Sequence, residues 1–119
     1  MDDGRLPPEL RAEFIEWARI KRRRFVTHSD KYPSPWHPTA ITNPVTRTVF
    51  TEVGAWEWIA ELLEAGIDVW ATKMDKPPGI IGWYFTAPSA YPPGEIYVKF
   101  HRCGNQLRGR SFHYSEPAK

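Results

Sequence analysis

Within residues 95–115 the sequence concentrates Tyr97, Lys99, His101, Arg102, Arg108, Arg110 and His113. These side chains can move protons or hold anions. Metal-free RNA cleavage needs about such a set. One group takes the proton of the attacking 2′-hydroxyl, another gives a proton to the leaving 5′-oxygen, and fixed cations stabilise the phosphorane. Histidine suits either proton role because its reference pKa is about 6.5. Tyrosine and lysine need help from neighbours. The same residues also describe the outer face of an inert, solvated antiparallel sheet.

The stretch alternates like two strands. Ile96, Val98 and Phe100 point one way and Tyr97, Lys99 and His101 the other. The first set is expected on the core and the second in water. The partner strand has two possible registers, because a slip of one residue exchanges its faces. A two-residue bend at Gly104 and Asn105 sets Tyr97 opposite Phe112 and brings Arg108 and Arg110 to the polar face. A three-residue loop from Gly104 to Gln106 sets Tyr97 opposite His113, with Ser111 on the same face. The second is preferred, since it buries Phe112 and Tyr114 and no histidine, although it turns Arg110 toward the apolar side.

The elements that must position this ribbon are legible upstream. A helix is predicted over 7–24, with prolines in its first turn and Leu10, Phe14, Trp17 and Ala18 on one face. Lys21 to Arg24 end it where positive charge suits the macrodipole. That run reads as a solvated helix end or, in the sharper alternative, as a phosphate-binding patch through residues such as Arg22 and Arg23. Residues 27–48 form a long proline-rich loop, with a short strand near 45–50. His28 and His37 lie in it without metal-ligand spacing to any carboxylate or cysteine.

A second helix is predicted over 52–65, capped by Thr51 and stopped by Gly66, with Ala55, Ile59, Leu62 and Leu63 buried. It is scaffold. Strands follow at about 67–74, 80–86, 95–102 and 107–114. The expectation is one α+β domain over 1–119, two helices packed on a mostly antiparallel sheet of about four strands. Trp36, Trp83 and Tyr84 are candidates to stack on splayed bases.

Composition sets the outer bounds. In 119 residues, 41% are hydrophobic and 25% charged, which is ordinary for a globular protein. The formal charge of +2 is too small to imply nucleic-acid binding by itself. Cys103 is the one cysteine, so neither an internal disulfide nor a Cys-x-x-Cys metal site can form. No cofactor is expected. No apolar run nears the roughly 18 residues of a membrane span, and the N-terminus lacks signal-peptide order. The expectation is a cytoplasmic protein with no membrane contact.

The segment "GEIYVKFHRCGNQLRGRSFHYSE" resembles the C-terminal hairpin of the motility quorum-sensing regulator toxins. The matching positions are Gly94, Tyr97, Lys99, Ser111 and Phe112, and the preceding "WYFTAPSAYPP" is similar in character. The resemblance covers about a third of the chain. It implies a RelE-like ribonuclease fold and an mRNA interferase of toxin–antitoxin type, held in check by a protein antitoxin. Tyr97 matches a tyrosine implicated in that family's RNA cleavage, and His113 stands where the family has a functional lysine. The family's upstream lysine and glutamine have no counterpart in this chain. The reading assigns Tyr97, His113 and Lys99 to catalysis, and His101, Arg108, Arg110, Trp83, Arg22 and Arg23 to RNA binding. The alternative is a non-catalytic module that binds a protein or nucleic-acid partner through its aromatic and basic surface.

Overall fold

The computed structural model describes residues 4–26, 36–73, 79–89 and 94–114. Residues 1–3, 27–35 with His28, 74–78, 90–93 and 115–119 lie outside them.

Helix α1 runs Pro8–Ala18, shorter than expected from sequence. Lys21–Arg23 form a 3-10 turn and Arg24–Phe25 a short strand, β1. The basic run therefore does not extend the helix. Arg24 turns back to donate to the Ala18 carbonyl, which satisfies one of the acceptors left open at a helix end. Helix α2 spans Glu52–Glu64, and the Thr51 hydroxyl accepts from the Gly54 N–H at 2.9 Å, as its cap position predicts. At the other end Gly66 takes φ 90°. Arg11 of α1 donates to the Leu63 and Ile67 carbonyls at 2.9 and 2.8 Å, so one helix closes the open end of the other.

The remaining strands are β2 (Trp70–Lys73), β3 (Ile81–Pro88), β4 (Glu95–Cys103) and β5 (Gln106–Tyr114). The expected sheet of about four antiparallel strands is a mixed sheet of five in the order β1-β5-β4-β3-β2, with β1 parallel to β5. The expected strand near 45–50 is a tight turn closed by a single bridge between Thr42 and Val49. In place of a featureless loop, Trp36 bridges Phe112 in parallel and Pro38–Ala40 form a 3-10 turn.

Both helices cover one sheet face. Phe14 meets Phe100 edge-on at 5.5 Å, and Trp58 lies 5.7 Å from Phe112 and 6.2 Å from Phe85. Trp36 completes this layer against Trp56 and Phe112 and donates its indole N–H to Glu52 at 3.1 Å. It sits so close to β5 that a Cβ on Gly109 would fall 2.6 Å from the indole Cζ3. Glycine is there because the ring occupies its side-chain space. No helix among the described residues is long and apolar enough to cross a membrane.

Candidate active site

The register of the terminal ribbon decides which side chains meet. Its bend is the two-residue one, with Gly104 at φ 60° in the first position, since Cys103 pairs with Gln106. Tyr97 nevertheless lies opposite His113. The reconciling feature is a β-bulge. Lys99 pairs with Ser111 but Phe100 pairs with Gly109, so Arg110 is an extra residue that shifts the faces of β5 beyond it. The bulge does what the longer loop was expected to do. Phe112 is buried, and the half-buried Tyr114 packs on the core with its hydroxyl accepting from the Thr42 N–H at 3.1 Å.

On the outer face the rings of Tyr84, Tyr97 and His113 stack in a row across β3, β4 and β5. Their centroids are 5.7 Å apart for Tyr84 and Tyr97, and 5.3 Å for Tyr97 and His113. Lys99 stands on the same face, paired across the strands with Tyr84 and Ser111. Burial, then the neighbouring Tyr84, pushes the Tyr97 phenol above its ordinary pKa. Tyr97 is therefore a hydrogen-bond donor at neutral pH and not a base. The Nδ1 of His113 lies 2.9 Å from the Tyr114 carbonyl. A carbonyl only accepts, so the contact requires a proton on Nδ1, and the tautomer that carries its one proton there has its lone pair on Nε2.

His101 corrects the expectation drawn from alternation. It lies on the same face as Tyr97 yet is 2% exposed. Burial, followed by the charges of Arg110 and Arg108, lowers its pKa to about 4. It is neutral at pH 7 and cannot neutralise phosphate as a cation. Its Nδ1 and the Nε of Arg108 have no hydrogen-bond partner among the described residues. Arg108 pairs across the strands with His101 and holds its guanidinium 5.6 Å over the Phe25 ring. Arg110, half-buried in the bulge, has its own pKa lowered by burial and by Arg108.

Two further expectations fail on placement. Trp83 belongs to the opposite face of the sheet, where it packs edge-on against Phe14 at 6.5 Å. Trp36 is 2% exposed in the core. Neither can stack on a base at the Tyr97 face, whereas Tyr84 is placed there. Arg22 and Arg23 sit beside the bend of the ribbon. The Arg22 carbonyl accepts from the Gln106 side chain at 2.8 Å, and Arg23 donates to the Asn105 carbonyl and covers Trp17. At about 3.3 Å per strand residue they are roughly 20 Å from Tyr97.

Sequence reasoning gave no role to His37. Its N–H donates to the Phe112 carbonyl at 3.0 Å, which sets it beside β5 next to His113. The available signal was the order of "PWHP", where an aromatic residue fit for the core is followed at once by a histidine. Among the described residues no three of His, Cys, Asp or Glu converge as a metal group would require. A recess of about 330 Å³ lies elsewhere, lined by Lys21, Arg24, Phe25, Val26, Glu52, Val53 and Trp56. The Tyr97 site is a part-covered sheet face, with Tyr84, Tyr97, Lys99 and His113 half-buried and Ser111 buried. No family model, no curated protein and no solved structure matches this chain.

Proposed function

We propose that the outer face of the sheet is the site of a metal-independent endoribonuclease acting on single-stranded RNA. The observation that carries the reading is the direct cross-strand pairing of Tyr97 with His113, their rings 5.3 Å apart. His113 Nε2 takes the proton of the 2′-hydroxyl, Tyr97 donates a hydrogen bond to the developing phosphorane, and Lys99 stabilises its charge. Tyr84 offers a part-exposed ring on which a splayed base can stack. Arg108 and Arg110 supply positive potential along the ribbon. The resemblance of residues 94–116 to the mRNA interferase toxins supports the same class. With it come a RelE-like relationship, action in the cytoplasm and a protein antitoxin that covers this face.

The test is cleavage of a single-stranded oligoribonucleotide by the purified chain in excess EDTA. The expected products end in a 2′,3′-cyclic phosphate and a 5′-hydroxyl. Tyr97→Phe and His113→Ala each lower the rate at least about tenfold, with circular dichroism unchanged. A folded double variant that cleaves like the parent removes the assignment.

One observation favours a second reading, a non-catalytic module that binds RNA or protein. Tyr97 is stacked on both sides by neighbouring rings and its phenol is pushed away from neutrality, as in a fixed contact surface. RNA binding without any cleavage, lost in Tyr97→Ala, would establish that alternative.

A further inference from the structure

The site as described has a base and a hydrogen-bond donor, but no group suited to protonating a leaving alkoxide at neutral pH. Tyr97 holds its proton too firmly, and His101 carries none there. Efficient general-acid catalysis needs a donor whose pKa lies near the working pH.

Position 37 supplies a second imidazole beside His113. Trp36 and Phe112 are bridged in parallel, and both rings turn into the core, 5.4 Å apart. Successive residues of an extended chain point to opposite faces. His37 has φ −132° and ψ 54°, so the chain is extended into this residue and turns just after it, and its N–H donates to the Phe112 carbonyl. Alternation from Trp36 then assigns its side chain to the outer face, as it assigns His113 after Phe112. Neighbouring strands lie about 4.8 Å apart, so the bridge at Trp36 and Phe112 sets the backbones of the two histidines side by side. His37 is exposed, and Pro38 begins a 3-10 turn immediately after it, so the chain bends away and leaves the position open.

We infer that His37 is the second proton-transfer residue of this site, a catalytic acid opposed to His113, an inference that rests on the nuclease reading above. The 2′-oxygen attacks phosphorus and gives its proton to His113 Nε2. The phosphorus–O5′ bond breaks, and the His37 imidazolium protonates O5′. The products are a 2′,3′-cyclic phosphate and a 5′-hydroxyl, with the protons balanced between the two rings. The other titratable and charged groups of this face are Glu95, Tyr97, Lys99 and His101 on β4, Tyr84 on β3, Arg108 and Arg110 on β5, and Arg5 over Trp70 of β2. Tyr97 lies between Tyr84 and His113, and Glu95 stands one strand repeat before Tyr97.

The experiment compares two substrates across pH 5 to 9. One is a uridylyl dinucleotide, whose leaving alkoxide needs a proton. The other is uridine 3′-(4-nitrophenyl phosphate), whose leaving phenolate does not. The parent chain should give a bell-shaped profile on the dinucleotide. His37→Asn and His37→Gln should lower kcat/KM there by about 10²-fold or more and remove the basic limb. On the nitrophenyl ester both variants should stay within a few-fold of the parent, while His113→Asn fails on both substrates. Equal losses on the two substrates would assign His37 a merely structural part, and unchanged cleavage of the dinucleotide would give it none. Either result overturns the inference while leaving the nuclease reading intact. A parent chain that cleaves neither substrate overturns both.

Discussion

The β4–β5 ribbon carries a histidine on its outer face in each of its two halves, and the two have opposite characters. Beyond the bulge, His113 is half-buried, stacked on Tyr97 and fixed by its Nδ1 contact to the Tyr114 carbonyl. Toward the bend, His101 is buried with its pKa at about 4, beside Arg108 and Arg110. Both sit on strands of the same alternation. Strand periodicity assigns a residue to a face, but it does not say whether that face is wet at that point. A histidine useful to proton transfer has to keep a ring nitrogen within reach of solvent, and only the distal half leaves its histidine part-exposed.

The sharpest way to break this contrast is to insert one alanine between Ser111 and Phe112. With Lys99 still opposite Ser111, the added residue exchanges the faces of β5 beyond it, so that His113 turns inward and Phe112 outward. We expect loss of cooperative unfolding in a calorimetric or denaturant scan. An insertion variant that melts like the parent would show that the strand can absorb a second extra residue and that its faces are not fixed by this register.

Acid titration sharpens the same contrast. The folded pKa of His101 is depressed, so the unfolded chain protonates first, near 6.5. Its contribution to stability is then full above about pH 6.5 and is lost as pH falls toward 4. Denaturant unfolding should show a loss on the order of 2–3 kcal/mol across that window. His101→Gln should flatten it, whereas His113→Gln should not.

Gly109→Ala places a Cβ 2.6 Å from a Trp36 ring that is hydrogen-bonded and cannot retreat freely. Overpacking of this kind costs about 1–3 kcal/mol, readable as a lower melting temperature. The smallest effect is expected at the bend. Arg22→Ala should change RNA cleavage by no more than about twofold at moderate salt, because that side chain lies far from Tyr97 and its charge is screened. A large loss there would extend the substrate path along the whole ribbon.

Where local chemistry governs, the sequence was readable. The Thr51 cap, the Gly66 stop and the alternation of Ile96, Val98 and Phe100 follow from short-range rules, and each stands as expected. The misreadings come from contacts between distant segments. Arg24 and Phe25 look like a helix end because nothing nearby shows that β5 will pair with them. Trp83 looks exposed until Phe14 is known to cover it, and Trp36 until Gly109 makes room for it. The bulge at Arg110 switches the core positions of β5 from Leu107 and Gly109 to Phe112 and Tyr114, so the preferred register set Tyr97 opposite His113 correctly while its three-residue loop was wrong.

The parallel edge of the sheet has a kinetic consequence. Gln106 and Arg22 are joined by a side-chain hydrogen bond across 84 residues of chain, and Phe112 holds both Trp36 and the His37 N–H. Such high contact-order closures cost loop entropy before they return any contact energy. The hairpins of β2 to β5 can zip locally, while this margin must wait for its partner strand. It should dock last on the way in and exchange its amide protons earliest on the way out, so the His37 side of the site would assemble only after the Tyr97 side is already standing.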